Sequence, residues 1–199
     1  MSRNDDAPMP LFSSGRERRL WAWTLVVVAG IFSTLGFAKT LAEALSDEVL
    51  FGGTWFIGFL LIGVAILVQG LKVRPRGAEI GVALGVAAVY LMVFGRLGVP
   101  ERTHLFEYGV VAIFIYEALT ERASQGRRVP VPAMIALLTT SLVGVFDECI
   151  QFFLPSRVFD PIDIGFNSLA ALMAVAAVTV LRWARRRTIR MLGSDSGSA

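Results

Sequence analysis

Six apolar runs, each close to the length needed to cross a bilayer, leave this chain little choice of fold. A helix spanning the hydrocarbon core needs about 20 predominantly apolar residues. Such runs fall at about 20–38, 51–71, 78–97, 99–119, 131–151 and 162–183. With 55% hydrophobic residues over 199 positions, the chain is too apolar for an ordinary soluble domain. The expectation is an all-α polytopic transmembrane bundle of about six spans. It forms one domain over 20–184, between a disordered polar tail at 1–19 and a basic, then polar, tail at 185–199.

Two runs need comment. Arg16, Arg18 and Arg19 precede the first, as in a signal peptide. That run is longer than an h-region of about 7–15 residues, so it reads as a retained helix. The purely apolar part of the fifth run covers 131–146, too short to cross about 30 Å at 1.5 Å per residue. The helix must continue through Asp147 to Gln151. Between the first two runs, residues 39–50 carry Leu41, Leu45 and Val49 at a helical spacing, the mark of a surface-lying turn or of an extended first helix.

Charge sets the orientation. Of the 19 Lys and Arg residues, four lie before the first run, three at 72–76, three at 122–128 and five from Arg182 onward. The other face holds Lys39, Arg96, Arg102 and Arg157. The positive-inside rule makes the crowded face cytoplasmic and places both termini there, as an even number of spans requires. The net charge of +3 therefore reads as topology, with no nucleic-acid partner expected. Cys149 is the one cysteine, so no internal disulfide can form. Its expected role is packing.

The same topology gathers polar residues at the outer ends of the last three runs. His104, Glu107 and Tyr108 share one helix face at i, i+3 and i+4. Asp147, Glu148 and Gln151 do the same on the next helix, and Asp163 and Asn167 on the last. Asp163 near a helix start also suits the helix dipole. A charge facing lipid at mid-bilayer costs about 2.5–3.5 kcal/mol on insertion scales. These groups should therefore face one another or a wet cavity. Four acids against one Arg and one His leave excess negative charge. Either some carboxyls carry protons, or a cation or basic partner joins them. Helix–helix hydrogen bonding is the bland alternative for the whole set. Glu79 and Glu117 are expected to be solvated at the cytoplasmic interface. A mixed O/N metal shell from His104, Glu107, Asp147 and Glu148 lacks a second His and any zinc-type spacing, so neither metal nor cofactor is expected.

The segments HLFEY at 104–108, DECIQFFLPSR at 147–157 and DIGFN at 163–167 resemble the VanZ-like family of small bacterial membrane proteins. The likeness runs over roughly 104–177, within a VanZ-like region of about 99–183. Three positions depart from the family's pattern: Ile150 where a His often precedes the Gln, Ser156 where a Gly precedes the Arg, and Ala170 in place of a Gly. The resemblance implies a multi-pass protein of the bacterial cytoplasmic membrane. Its namesake is associated with low-level resistance to teicoplanin, an effect at the outer face of that membrane, where charge bias places the polar residues here.

The function expected is an outer-leaflet pocket that binds or acts on a lipid-linked envelope precursor, such as a polyprenyl-phosphate conjugate, or a glycopeptide antibiotic. Arg157 would engage an anionic headgroup. Asp147, Glu148 and His104 are the candidate catalytic residues. Glu107, Tyr108, Gln151, Asp163 and Asn167 are the remaining ligand-binding candidates. A carboxyl kept protonated by burial could serve as a general acid, but the residues assign no reaction. A proton-coupled transporter and a non-enzymatic scaffold stay open. The apolar cytoplasmic halves of the helices weigh against the transporter.

Overall fold

The computed structural model describes residues 10–35, 77–94, 96, 99–154 and 159–195. The expected second run, the 39–50 segment, Lys39 and Arg157 lie outside the described residues. Among those described there are five helices and no strand: α1 (Gly15–Thr34), α2 (Gly77–Phe94), α3 (Val99–Ser124), α4 (Pro132–Phe152) and α5 (Pro161–Asp195).

Local chemistry explains where the helices start and stop. α1 begins at Gly15, ahead of the apolar start at Leu20, because Ser14 caps it by accepting from the Glu17 N–H. Residues 15–19, expected within the tail, are therefore helical. α3 ends in a Schellman motif. The Arg127 N–H reaches the Arg122 carbonyl, the Gly126 N–H reaches that of Ala123, and Gly126 supplies the left-handed φ of 80°. Pro132 sits in the first turn of α4, where its missing N–H costs nothing. Val131 before it holds a φ of 43°, rare for a β-branched residue. α5 is started by Asp160, whose side chain accepts from the Ile162 N–H.

α4 runs through Gln151 to Phe152, as its apolar length alone requires. Among the described residues it is one of two helices long and apolar enough to cross a membrane. The other is the part of α5 over Pro161–Arg187. Glu79–Val93, in the expected third span, is a shorter apolar helix.

α3 and α5 form the most extensive helix pair. α4 packs against both, α1 packs on α3, and α2 packs on α5. The main core draws Val111, Ala112, Ile115 and Leu119 from α3, Ala136 from α4, and Ala171, Ala174 and Val175 from α5. Small residues dominate the α5 side and let the backbones approach closely.

α4 is built inside out relative to a helix in water. Its buried stripe is Ala136, Thr140, Gly144, Asp147, Glu148 and Gln151. Its exposed stripe is Met134, Leu138, Leu142, Phe146 and Ile150. A helix in water hides its apolar face. Here the polar face is hidden and the apolar face shown, which fits a hydrocarbon surrounding.

Candidate functional site

The polar stripe of α4 meets α3 and α5 at one end of the bundle. Tyr108 is fully buried on α3, and its hydroxyl donates to Asp147 Oδ2 at 2.8 Å. The Gln151 amide donates to Glu148 Oε1 at 3.1 Å, with a longer contact of 3.5 Å to Asp147 Oδ2. Glu148 Oε2 accepts the backbone N–H of Asp160 at 3.2 Å, tying the end of α4 to the start of α5. His104 stacks near Tyr108, with ring centroids 5.9 Å apart, and places Nε2 3.8 Å from Asp163 Oδ2. Asp147, Glu148, Gln151 and Asn167 are all buried.

Helical register explains the convergence. Asp147, Glu148 and Gln151 span one turn of α4, and Tyr108 lies one turn on from His104. Asn167 follows Asp163 by one turn of α5 and lies directly against Gly144. A Cβ built on Gly144 would stand 2.8 Å from both Cβ and Nδ2 of Asn167. A glycine is thus required for α4 and α5 to close at this level.

The structure therefore brings together Tyr108, Asp147, Glu148 and Gln151, sets His104 beside Asp163, and buries Asn167 one turn deeper. Glu107 is half-buried on α3 next to Tyr108. Arg157 lies outside the described residues. Cys149, expected to pack, is exposed. One step of about 100° from Glu148 carries it off the buried stripe.

A second polar belt at the opposite end was not foreseen. Glu17 is fully buried. Its carboxylate accepts from the N–H and hydroxyl of Ser13, at 2.6 and 2.5 Å, and from Arg122 at 3.1 Å. Arg16 bridges Glu117 at 2.9 Å and Glu121 at 2.7 Å, and Arg182 also pairs with Glu117. Glu117 is therefore engaged by α1 and α5, against the expectation of a solvated side chain. Burial pushes the Glu17 carboxyl up, but the Ser13 hydrogen bonds and the Arg122 charge outweigh it and hold it below the ordinary range. Hydrogen bonds from Arg16, Ser14 and Gln125 lower Glu121 likewise. The signal for this belt was Ser14-x-x-Glu17, a capping-box spacing, with Glu117 and Glu121 at i,i+4.

Chemically, the first cluster offers carboxyl groups, an imidazole, a phenol and two amides within one buried region. It can hold a proton, or accept hydrogen bonds from a polar or cationic group. Comparison with known proteins adds one match: a family model described as VanZ/LLP1 covers residues 84–182, which includes every residue of this cluster and leaves out α1. No curated protein and no solved structure matches the chain.

Proposed function

The chain carries a VanZ/LLP1 family domain, and from that premise we propose a multi-pass protein of the bacterial cytoplasmic membrane whose outer-side polar centre binds the headgroup of a lipid-linked envelope molecule. The observation that carries this reading is the inverted α4: buried Asp147, Glu148 and Gln151 against a lipid-compatible exterior, closed by Tyr108 from α3 and by Asp160 from the start of α5. Polar groups held at membrane depth are costly and mark sites. In this proposal Asp147 and Glu148 supply charge or a proton, His104 and Glu107 complete the wall, Gln151 and Asn167 orient by hydrogen bonds, and Arg157 meets an anionic phosphate or carboxylate.

The same proposal keeps six spans and cytoplasmic termini. Fifteen of nineteen basic residues fall on one side by sequence. The start of α1 and the later parts of α3 and α5 meet at that basic end through Arg16, Glu117 and Arg182. A second reading, helix glue, is favoured by the closed run of bonds from Tyr108 through Asp147, Gln151 and Glu148 to Asp160.

Native mass spectrometry of the purified protein with its co-purified lipids separates the two. A polyprenyl-phosphate or other anionic lipid adduct, reduced in Arg157→Ala and Glu148→Gln, supports the headgroup site. No adduct in the wild type, with Glu148→Gln less stable than the wild type, leaves helix glue and ends the ligand reading.

A further inference from the structure

Crossing a membrane does not account for the C-terminal end of α5. From Pro161 to Trp183 the helix already rises about 33 Å, enough for the hydrocarbon core. It nevertheless continues to Asp195, where a tail was expected. Trp183 is exposed, as an interfacial anchor would be. Beyond it come Arg185, Arg186, Arg187 and Arg190, all exposed. Arg186, Arg187 and Arg190 follow Trp183 at i+3, i+4 and i+7, so the four share one helical face. The Arg187 guanidinium lies over the indole of Trp183, 5.2 Å from the ring centroid.

Little on the helix offsets this charge. Arg190 stands at i+4 from Arg186 and at i+3 from Arg187, and like charges at these spacings destabilise a helix. Asp195 is the one acid in the sequence after Trp183. The helix dipole favours cations in the last turn, which holds no basic residue. Other arginines at the same end are neutralised: Arg16 and Arg182 by Glu117, Arg16 also by Glu121, and Arg122 by Glu17. Among the described residues no salt bridge reaches the four arginines beyond Trp183. The positive-inside rule accounts for their side of the membrane, but not for three of them crowding one face of a helix.

We propose that the Trp183–Arg190 face of α5 is a docking surface for anionic phospholipid headgroups of the adjoining leaflet. Height along the helix selects a lipid. Arg190 lies about 10 Å beyond Trp183, and Arg186 and Arg187 lie about 5–6 Å beyond it. The polar layer of a bilayer is about 5–7 Å deep on each side, and its charge is felt for about 8 Å more at physiological salt. All three guanidinium groups thus work where lipid phosphates stand. Each can grip a phosphate through paired N–H donors, while the indole rests at the glycerol level. The proposal needs a membrane protein but neither Arg157 nor Glu148, so it and the polar centre stand or fall separately.

The test is thermal unfolding of the full chain in a neutral detergent, titrated with dioctanoyl phosphatidylglycerol. Dioctanoyl phosphatidylcholine and inorganic phosphate at matched ionic strength are the comparisons. The phosphatidylglycerol should raise the midpoint of the wild type more than either comparison does. In Arg186→Gln/Arg190→Gln, which leaves Arg187 on Trp183, the concentration for half of that effect should rise at least roughly five-fold, the share of one basic residue near an anionic surface. Without lipid this variant should melt at or above wild type, because it removes like-charge repulsion. A lower midpoint without lipid would make the arginines structural and overturn the proposal. An unchanged half-effect concentration overturns it, as does an equal response to phosphatidylcholine. An equal response to inorganic phosphate overturns the lipid in favour of a soluble anion.

Discussion

Replacing Gly144 with alanine tests the closeness of α4 and α5 directly. The added Cβ would stand 2.8 Å from Asn167 Cβ and Nδ2, and 3.2 Å from Cγ. Rotation about χ1 of Asn167 can move Nδ2 and Cγ, but its Cβ is fixed by the α5 backbone. The helices must therefore separate by several tenths of an ångström. Overpacking of this kind costs about 1–3 kcal/mol. The better helix propensity of alanine returns up to about 1 kcal/mol. Gly109→Ala on α3 is the internal control. Its Cβ would meet Ala174 Cβ at 3.8 Å, an ordinary contact, while the propensity gain is similar. The difference between the variants thus isolates the packing term, about 1–3 kcal/mol, or roughly 2–4 °C in midpoint per kcal/mol for a chain of this size. The assay is thermal unfolding in one detergent, followed by fluorescence-detected size exclusion. Gly109→Ala should melt at or above wild type and Gly144→Ala clearly below it. Equal midpoints for the two would refute the close approach, and with it the seating of Asn167.

Three further outcomes follow from the same geometry. Tyr108→Phe removes the 2.8 Å bond to Asp147 from a buried site and should cost about 1–3 kcal/mol in the same melts; an unchanged midpoint would show that the bond is absent. Glu17 is held below its ordinary value of 4.5, so its contribution is complete above that value and is lost as pH falls through the lower folded value. Wild type should therefore lose more stability than Glu17→Gln as the pH falls below 4.5, and parallel curves would count against the Glu17–Arg122 clamp. Val131→Asn should raise the stability by about 1 kcal/mol, and with it the midpoint, because asparagine tolerates the left-handed conformation that costs valine about that much; a fall would place the φ of 43° in doubt.

The site was more legible in the sequence than the bundle around it, and the reason is physical. A polar residue inside an apolar run has few acceptable positions, and helical spacing then fixes its neighbours. Asp147, Glu148 and Gln151 had to share a face, and Tyr108 had to lie a turn from His104. The burial of Asn167 follows from the same constraint. Gly144 gave a weaker signal. A glycine three residues before Asp147 on the same face marks a close helix contact only once the partner helix is known. Cys149 shows the opposite failure, because its neighbours in sequence are buried while its own direction is outward.

The charged belt was missed because Glu117 and Glu121 lie near a helix end, where solvation is the ordinary expectation. Their partners sit about 100 residues away, on α1, and the pairing depends on how α1 docks rather than on any local pattern. That docking has a consequence. α1 lies outside the matched family region, yet Arg16 and Glu17 bind it to Glu117, Glu121 and Arg122 of α3. The helix that carries Tyr108 at one end is thus clamped by α1 at the other. A change at Glu17 can therefore reach the polar centre only by shifting α3 as a rigid rod. The Glu17→Gln variant should lose stability while leaving the cost of Tyr108→Phe unchanged in a double-mutant cycle.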